Sequence, residues 1–242
     1  MDIRNKTLLI TGGNRGVGRA LVEEALKRGA QRVYAGTRGP FQHPDKRVTP
    51  MALDVTNPAE IQRVAGEVAT LDLLVNNAGI ALFDDLSDPA FIDKHLAVNF
   101  LGPYRMTQAF LPRLKHAKGA ILNVLSLAAL APIPVTPAYS ISKAAAHSMT
   151  QSFRAFLAGA GVAVHGVYLG PVDTDMTRGF DIPKASAVDV AREIFDGLER
   201  GEEDIFPDAV SRTLAEGWRN GVVKGFERQY ASFLPPGMAN AS

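Results

Sequence analysis

Short apolar runs alternate along the chain with segments whose apolar positions recur at helical spacing. β-branched and aliphatic runs predict strands over residues 6–10, 32–37, 47–53, 71–76, 119–125 and 162–169, with a short last strand at 205–207. Helical patterns occupy residues 15–28, 101–116 and 137–158, and further helices begin at Asn57, Asp88-Pro89 and Ser186. At the first of these starts, Asn57 suits the N-cap, Pro58 the first turn, and Glu60 the reach back of a capping box. Ser186 and Asp189 open a helix that ends near Gly201. The alternation predicts one α/β domain over residues 1–242. Its core is a Rossmann-type, doubly wound parallel sheet with helices on both faces. Beyond about residue 207 the pattern changes. Leu214, Trp218, Val222, Phe226 and Tyr230 recur every four residues, the apolar stripe of a helix. That stripe either packs on its own domain or serves as a subunit contact or pocket cover.

Composition narrows the function. The chain has 242 residues, 46% of them hydrophobic, and a formal net charge of +1. So balanced a charge gives no field that favours nucleic acid or an anionic membrane. There are no cysteines, which excludes a disulfide framework and thiolate metal sites and fits a reducing compartment. No window of about 20 apolar residues suggests a membrane span, and the apolar run near the N-terminus is too short for a signal peptide. The expectation is a cytoplasmic protein. The histidines (His43, His95, His116, His147, His165) lack metal-ligand spacing and are read as core or surface residues, so no metal is expected.

The strongest chemistry signal is TGGNRGVG, Thr11 to Gly18, between the first strand and first helix. A glycine-rich turn here either lets strand and helix pack closely or brings backbone N–H groups against a phosphate. Its glycines, Gly12, Gly16 and Gly18, are spaced differently from the common Gly-x-Gly-x-x-Gly fingerprint. Further on come NNAG at Asn76 to Gly79, VNF with Asn99, Ser126, YSISK with Tyr139 and Lys143, and LGPVDTDM from Leu169. Tyr139 and Lys143 share a helix face. A phenol is a poor base at neutral pH, and an ammonium beside it favours the phenolate. That pair suits the proton transfer of an alcohol/ketone interconversion. Ser126 lies near a strand's C-terminal end, where open α/β sheets bind ligands. It lacks the glycines of a hydrolase nucleophile elbow.

In this order and spacing, the motifs resemble the classical short-chain dehydrogenase/reductase family, over Thr11 to about Met176. The resemblance implies an oxidoreductase that moves a hydride between NADP(H) and a small-molecule ketone or alcohol. Ser126 would polarise the substrate oxygen and Tyr139 donate or accept the proton. Lys143 would lower the tyrosine pKa and bind the nicotinamide ribose, and Asn99 would carry a proton relay. The cofactor bed would comprise Gly12, Asn14, Arg15, Gly16, Val17, Gly18, Thr37, Arg38, Asp54, Val55, Asn77, Ala78, Gly79, Tyr139, Lys143, Gly170, Val172 and Thr174. Thr37 stands about where an NAD-specific member carries Asp, and Arg38 follows it. With Arg15, that pair suits a 2′-phosphate, so NADPH is the expected cofactor. The chain departs from the family at Leu169-Gly170, where Pro-Gly is usual.

A short segment after Thr174 implies an open pocket, with Ala128, Ile133, Met176 and Phe180 as apolar walls. No long insertion separates Ser126 from Tyr139, which leaves the helices at 101–116 and 137–158 free to pair in a homodimer or homotetramer. A non-catalytic NADP(H)-binding regulator on the same fold is the alternative; it would keep the loop and have no use for Tyr139 and Lys143.

Overall fold

The computed structural model of the chain describes residues 1–233. Its strands are β1 (Thr7–Thr11), β2 (Arg32–Thr37), β3 (Val48–Ala52), β4 (Leu73–Asn76), β5 (Ala120–Ser126), β6 (Ala163–Leu169) and β7 (Asp204–Ile205). They form one parallel sheet in the order β3-β2-β1-β4-β5-β6-β7. All of β1, β4 and β5 is buried. Strands covered on both faces read as continuous apolar runs, which is why the pattern along them does not alternate. β3 lies at the sheet edge and tolerates Pro50, which lacks the N–H a central strand needs.

Alternate side chains of β1 enter opposite cores. Leu8 and Ile10 meet Val22, Leu26, Ile194 and Leu198 of α1 (Gly16–Lys27) and α6 (Ala187–Glu199). Leu9 joins Ile61, Phe110 and Phe153 of α2 (Pro58–Glu67), α4 (Gly102–Ala117) and α5 (Pro137–Ala158). This is the doubly wound arrangement the sequence predicts. α3 (Pro89–Leu96) runs through a π-helical turn, Ala97–Leu101, into α4. The strand order reverses at β1, whose neighbours are β2 and β4. The crevice beyond their C-terminal ends is the position where such sheets hold ligands.

Two expectations change. Asn57 caps α2 through the N–H groups of Ala59 and Glu60, but Glu60 does not close a capping box on it. The Glu60 carboxylate instead accepts from the Asp54 N–H (2.7 Å) and the Asn57 side chain, tying the helix start to the end of β3. The C-terminal stripe is two helices, α7 (Ala209–Arg219) and α8 (Val222–Ala231), broken at Asn220-Gly221. Only Trp218 of the five stripe residues packs inward, against a small cluster of Leu125, Ala146, Tyr168 and Phe206. Leu214, Val222, Phe226 and Tyr230 are exposed. Charge, rather than apolar burial, seats α8. Lys224 is 2% exposed and its ammonium lies 2.8 Å from both Asp204 and Glu227. Arg154 of α5 pairs with the same two carboxylates. No helix among the described residues is long and apolar enough to cross a membrane.

Candidate active site

Each glycine of the first loop answers a separate geometric demand. Gly12 and Gly16 have φ of +68° and +52°, a conformation L side chains rarely adopt. At Gly18 a Cβ would stand 2.0 Å from the Gly12 carbonyl oxygen. The loop is pinned to β4 by residues on both sides. Thr11 Oγ1 accepts from the N–H groups of Asn77 and Ala78 (3.0 Å each), and the Asn77 amide donates to the carbonyls of Thr11 and Gly12. α1 has no side-chain cap, so its first N–H groups face the crevice without a protein acceptor from Arg15. Beside Gly16 a cleft of about 280 Å³ is lined also by Asp173, Thr174, Asp175 and Arg178. These features fit a pyrophosphate: close backbone approach, unclaimed donors and a positive helix end. Val17 and Val55 are buried in the two cores, so their side chains serve packing.

At the far end of β2, Thr37 is buried and donates to the Gly39 carbonyl (2.6 Å), turning the chain so that Arg38 is exposed. Burial pushes the Asp54 carboxyl up. The N–H and hydroxyl of Thr56, with the Arg38 charge, outweigh that and hold it below the usual carboxylate range. Arg38 and Asp54 are thus neighbours. Arg15 is exposed and pairs with Asp175 at 3.4 Å.

Ser126 ends β5, and Tyr139 and Lys143 lie one turn apart near the start of α5. The Ser126 hydroxyl lies close enough to the Tyr139 phenol to act on its pKa. It also accepts from the Ala128 N–H and makes a long contact, 3.4 Å, to the Leu169 carbonyl. The Lys143 ammonium lies 5.8 Å from the Tyr139 ring centre and donates to the Val124 carbonyl (2.7 Å). Burial pushes the lysine down to about 8. Burial pushes Tyr139 up, against the lowering effect of Ser126. Where the sequence leads one to expect a lowered phenol, burial outweighs the hydroxyl and the phenol stands above its ordinary value.

Asn99 sits in the π-helical turn and is buried. Its side chain exchanges two 2.9 Å hydrogen bonds with the backbone of Ile80 and donates to Ser142, whose hydroxyl donates to the Tyr139 carbonyl. Its side chain thus ties the stretch after Gly79 to α5. The sequence reading missed that tie's other end, Ser142. It also missed Asn123 and Thr150, which form a buried chain with Asn76 below the site. Polar residues spaced along separate strands and helices carry no signal until the fold brings them together.

Residues 80–86 are tied to the neighbourhood of Tyr139 by hydrogen bonds to His95 and Ala138. Leu82 N–H donates to His95 Nε2, and the His95 ring meets the Tyr139 ring edge-on at 6.3 Å. The Asp84 carboxylate accepts from the Ala138 N–H, at 3.3 Å for the nearer oxygen. From this segment Phe83 reaches Phe180, ring centres 5.5 Å apart. Of the four apolar walls expected, Ile133 and Met176 are also exposed, whereas Ala128 is buried.

The family model described as short chain dehydrogenase matches residues 6–184. The chain is 33% identical over 202 residues to the short chain dehydrogenase pigC of Monascus ruber, covering 74% of this chain and 67% of that one. It is 33% identical over 198 residues to estradiol 17-beta-dehydrogenase 2 of Rattus norvegicus, covering 75% of this chain and 52% of that one. A short chain dehydrogenase of Burkholderia cenocepacia, solved in complex with NADP, superposes with a TM-score of 0.85 at 35% identity, covering 97% of this chain and 99% of that one.

Proposed function

The chain belongs to the short-chain dehydrogenase family, and from that premise we propose that it is an NADPH-dependent carbonyl reductase, reversible as a secondary alcohol dehydrogenase. The observation that carries the reading is the convergence of Ser126, Tyr139 and Lys143 beside the glycine-loop crevice. Gly12, Asn14, Gly16, Gly18, Asn77, Ala78 and Gly79 would hold the pyrophosphate and ribose, with Gly170, Val172 and Thr174 at the nicotinamide. Arg15 and Arg38 would take the 2′-phosphate. The bound nicotinamide supplies the hydride. Ser126 holds the substrate carbonyl oxygen, and Tyr139 delivers its proton to that oxygen as the alcohol forms. Lys143 holds a ribose hydroxyl and a positive charge near the phenol. Because its side chain is spent on Ile80 and Ser142, Asn99 would join a relay only through its backbone carbonyl.

A phenol at or above its ordinary value is protonated at neutral pH, and that is the form that donates to the substrate oxygen. The paired rings of Phe83 and Phe180, which would border the substrate, support an apolar or aromatic carbonyl compound. The same reading includes self-association through α4 and α5, which carry half-exposed Tyr104, Ile141 and Phe156. A light-scattering mass of one chain would overturn that part.

The experiment is a panel of aryl ketones, aliphatic ketones, ketoesters and ketoacyl thioesters, with NADPH consumption followed optically. Tyr139→Phe should lower turnover by about 10²–10⁴-fold while NADPH still binds. Undiminished turnover in that variant refutes the assignment. NADPH binding without turnover of any panel member favours the non-catalytic alternative.

A further inference from the structure

The Leu169–Gly170 peptide unit is gripped at both of its polar ends. Its carbonyl faces the Ser126 hydroxyl, at 3.4 Å, and its N–H donates to Asp208 Oδ2 at 2.8 Å. Asp208 belongs to the C-terminal segment, 38 residues further along the chain. It is 4% exposed and also caps α7: Oδ1 accepts from the N–H groups of Val210 (3.1 Å) and Ser211 (2.9 Å), and Ser211 Oγ lies 2.8 Å from Oδ2. Three N–H groups and a hydroxyl therefore converge on one buried carboxylate. The fit is close on the other side as well. A Cβ on Gly170 would stand 2.5 Å from Asp208 Oδ1 and 3.3 Å from its Cγ.

We propose that Asp208 is a positioning residue: it fixes the Leu169–Gly170 peptide, and through it holds the loop from Gly170 to Thr174 in place for the nicotinamide half of the cofactor. The inference rests on the NADPH-dependent reading above. The loop leaves β6 at Gly170, crosses Val172, which is buried, and returns at Thr174 to touch the glycine loop, where the Thr174 methyl would lie 3.2 Å from a Cβ on Gly16. A peptide rotation at its first residue would displace everything between. Such a rotation has to break both the Asp208 bond and the Ser126 contact. Helix capping alone needs one acceptor and is met equally by serine. The second carboxylate oxygen, aimed at Gly170, is what capping does not require.

That difference separates the two roles experimentally. Asp208→Ser keeps an acceptor for the α7 N–H groups and is too short to hold Gly170. Asp208→Asn must turn an amide N–H toward either Gly170 or the helix. Gly170→Ala forces the same contact apart from the loop side. NADPH binding is read by nicotinamide fluorescence, binding of the adenosine half by titration with 2′,5′-ADP, and folding by thermal melting. In all three variants NADPH affinity should fall about tenfold while 2′,5′-ADP affinity stays within about twofold. The Asp208→Ser/Gly170→Ala double variant should be no weaker than the worse single one, because both remove one contact. Equal weakening of both ligands, or of neither, leaves Asp208 a helix cap and overturns the proposal. Wild-type protein that binds neither ligand refutes the NADPH reading itself, and this inference with it.

Discussion

The Lys143 ammonium donates to the Val124 carbonyl oxygen across 2.7 Å, inside a region from which solvent is excluded. The charge rests on one neutral acceptor and faces no carboxylate within ion-pair distance among the described residues. Burial accordingly pushes its pKa down to about 8. The unfolded chain keeps this proton up to the ordinary lysine value of 10.5, so it binds more protons than the folded chain between the two values. Stability rises with pH through that window, and the full cost, about 3 kcal/mol, stands below it. Lys143→Met should therefore remove activity yet raise the melting temperature at pH 7 by roughly 2–8 °C, after about 1 kcal/mol for the orphaned Val124 carbonyl. The gain should vanish near pH 10.5. A lower melting temperature at pH 7 would contradict the buried-charge account.

Gly18→Ala places a methyl 2.0 Å from the Gly12 carbonyl oxygen and 2.5 Å from the Asn77 amide. The first neighbour is loop backbone and the second a side chain held by hydrogen bonds to the Thr11 and Gly12 carbonyls, so neither yields freely. Cofactor binding should fall at least 100-fold, with a loss of roughly 3 kcal/mol in stability. Gly66→Ala, in α2 with nothing within 4 Å of its Cβ, is the control and should stabilise by up to about 1 kcal/mol. Equal behaviour of the two variants in calorimetry and titration would dismiss the close-approach argument.

Arg15 and Arg38 present guanidinium groups with no fixed buried role: Arg15 holds only an exposed partner, and Arg38 lies beside Asp54. Charge-assisted hydrogen bonds of about 1.5–3 kcal/mol correspond to roughly 10–100-fold in affinity. Each alanine variant should raise the KM for NADPH by that factor and leave the KM for NADH within about twofold. Steady-state comparison of the two cofactors decides it; a parallel rise for both would show that neither arginine reads the 2′-phosphate.

Phe83 and Phe180 meet from segments nearly a hundred residues apart in sequence, and under the proposed function they would border the substrate. Replacing either with alanine should lower kcat/KM for aryl ketones about tenfold, the scale of about 1–1.5 kcal/mol for an aromatic pair. Short aliphatic ketones should change by less than about twofold, and NADPH affinity should not move. Uniform loss over the whole panel would assign the pair to folding instead.

Lys224 is the buried cation on which Glu203, Asp204 and Glu227 converge. Lys224→Met leaves Asp204 and Glu227 to Arg154 and Glu203 to Arg228, and removing one partner of a buried ion network costs about 3–5 kcal/mol. The orphaned carboxylates should then have folded pKa values above their unfolded ones, so the variant's stability is regained as pH falls and lost as it rises. The deficit in melting temperature should be smaller at pH 5 than at pH 7.5. A deficit independent of pH would exclude the carboxylates as its cause.

The sequence alone determined the parallel α/β architecture, because strands buried on both faces must read as continuous apolar runs and their crossovers as amphipathic helices. It also determined the family, and with it the glycine loop, Ser126, Tyr139 and Lys143, because those residues occur at characteristic spacing. Tertiary structure decided what spacing cannot express. The stripe at Leu214, Trp218, Val222, Phe226 and Tyr230 reads as one apolar helix face, whether packed on its own domain or covering a contact or pocket. Gly221 divides it, and a Lys224 ion network seats its second half, with partners on β7 and α5 that no local pattern announces. The i,i+4 spacing of Tyr139 and Lys143 suggests a lowered phenol, yet that balance belongs to burial, which exists only once the sheet and helices close around the pair. Asp208 carries no signal in the sequence. Its second oxygen meets Gly170 because β6 and α7 are neighbours in space, and the strength of that contact comes from excluding the water that would otherwise compete for it.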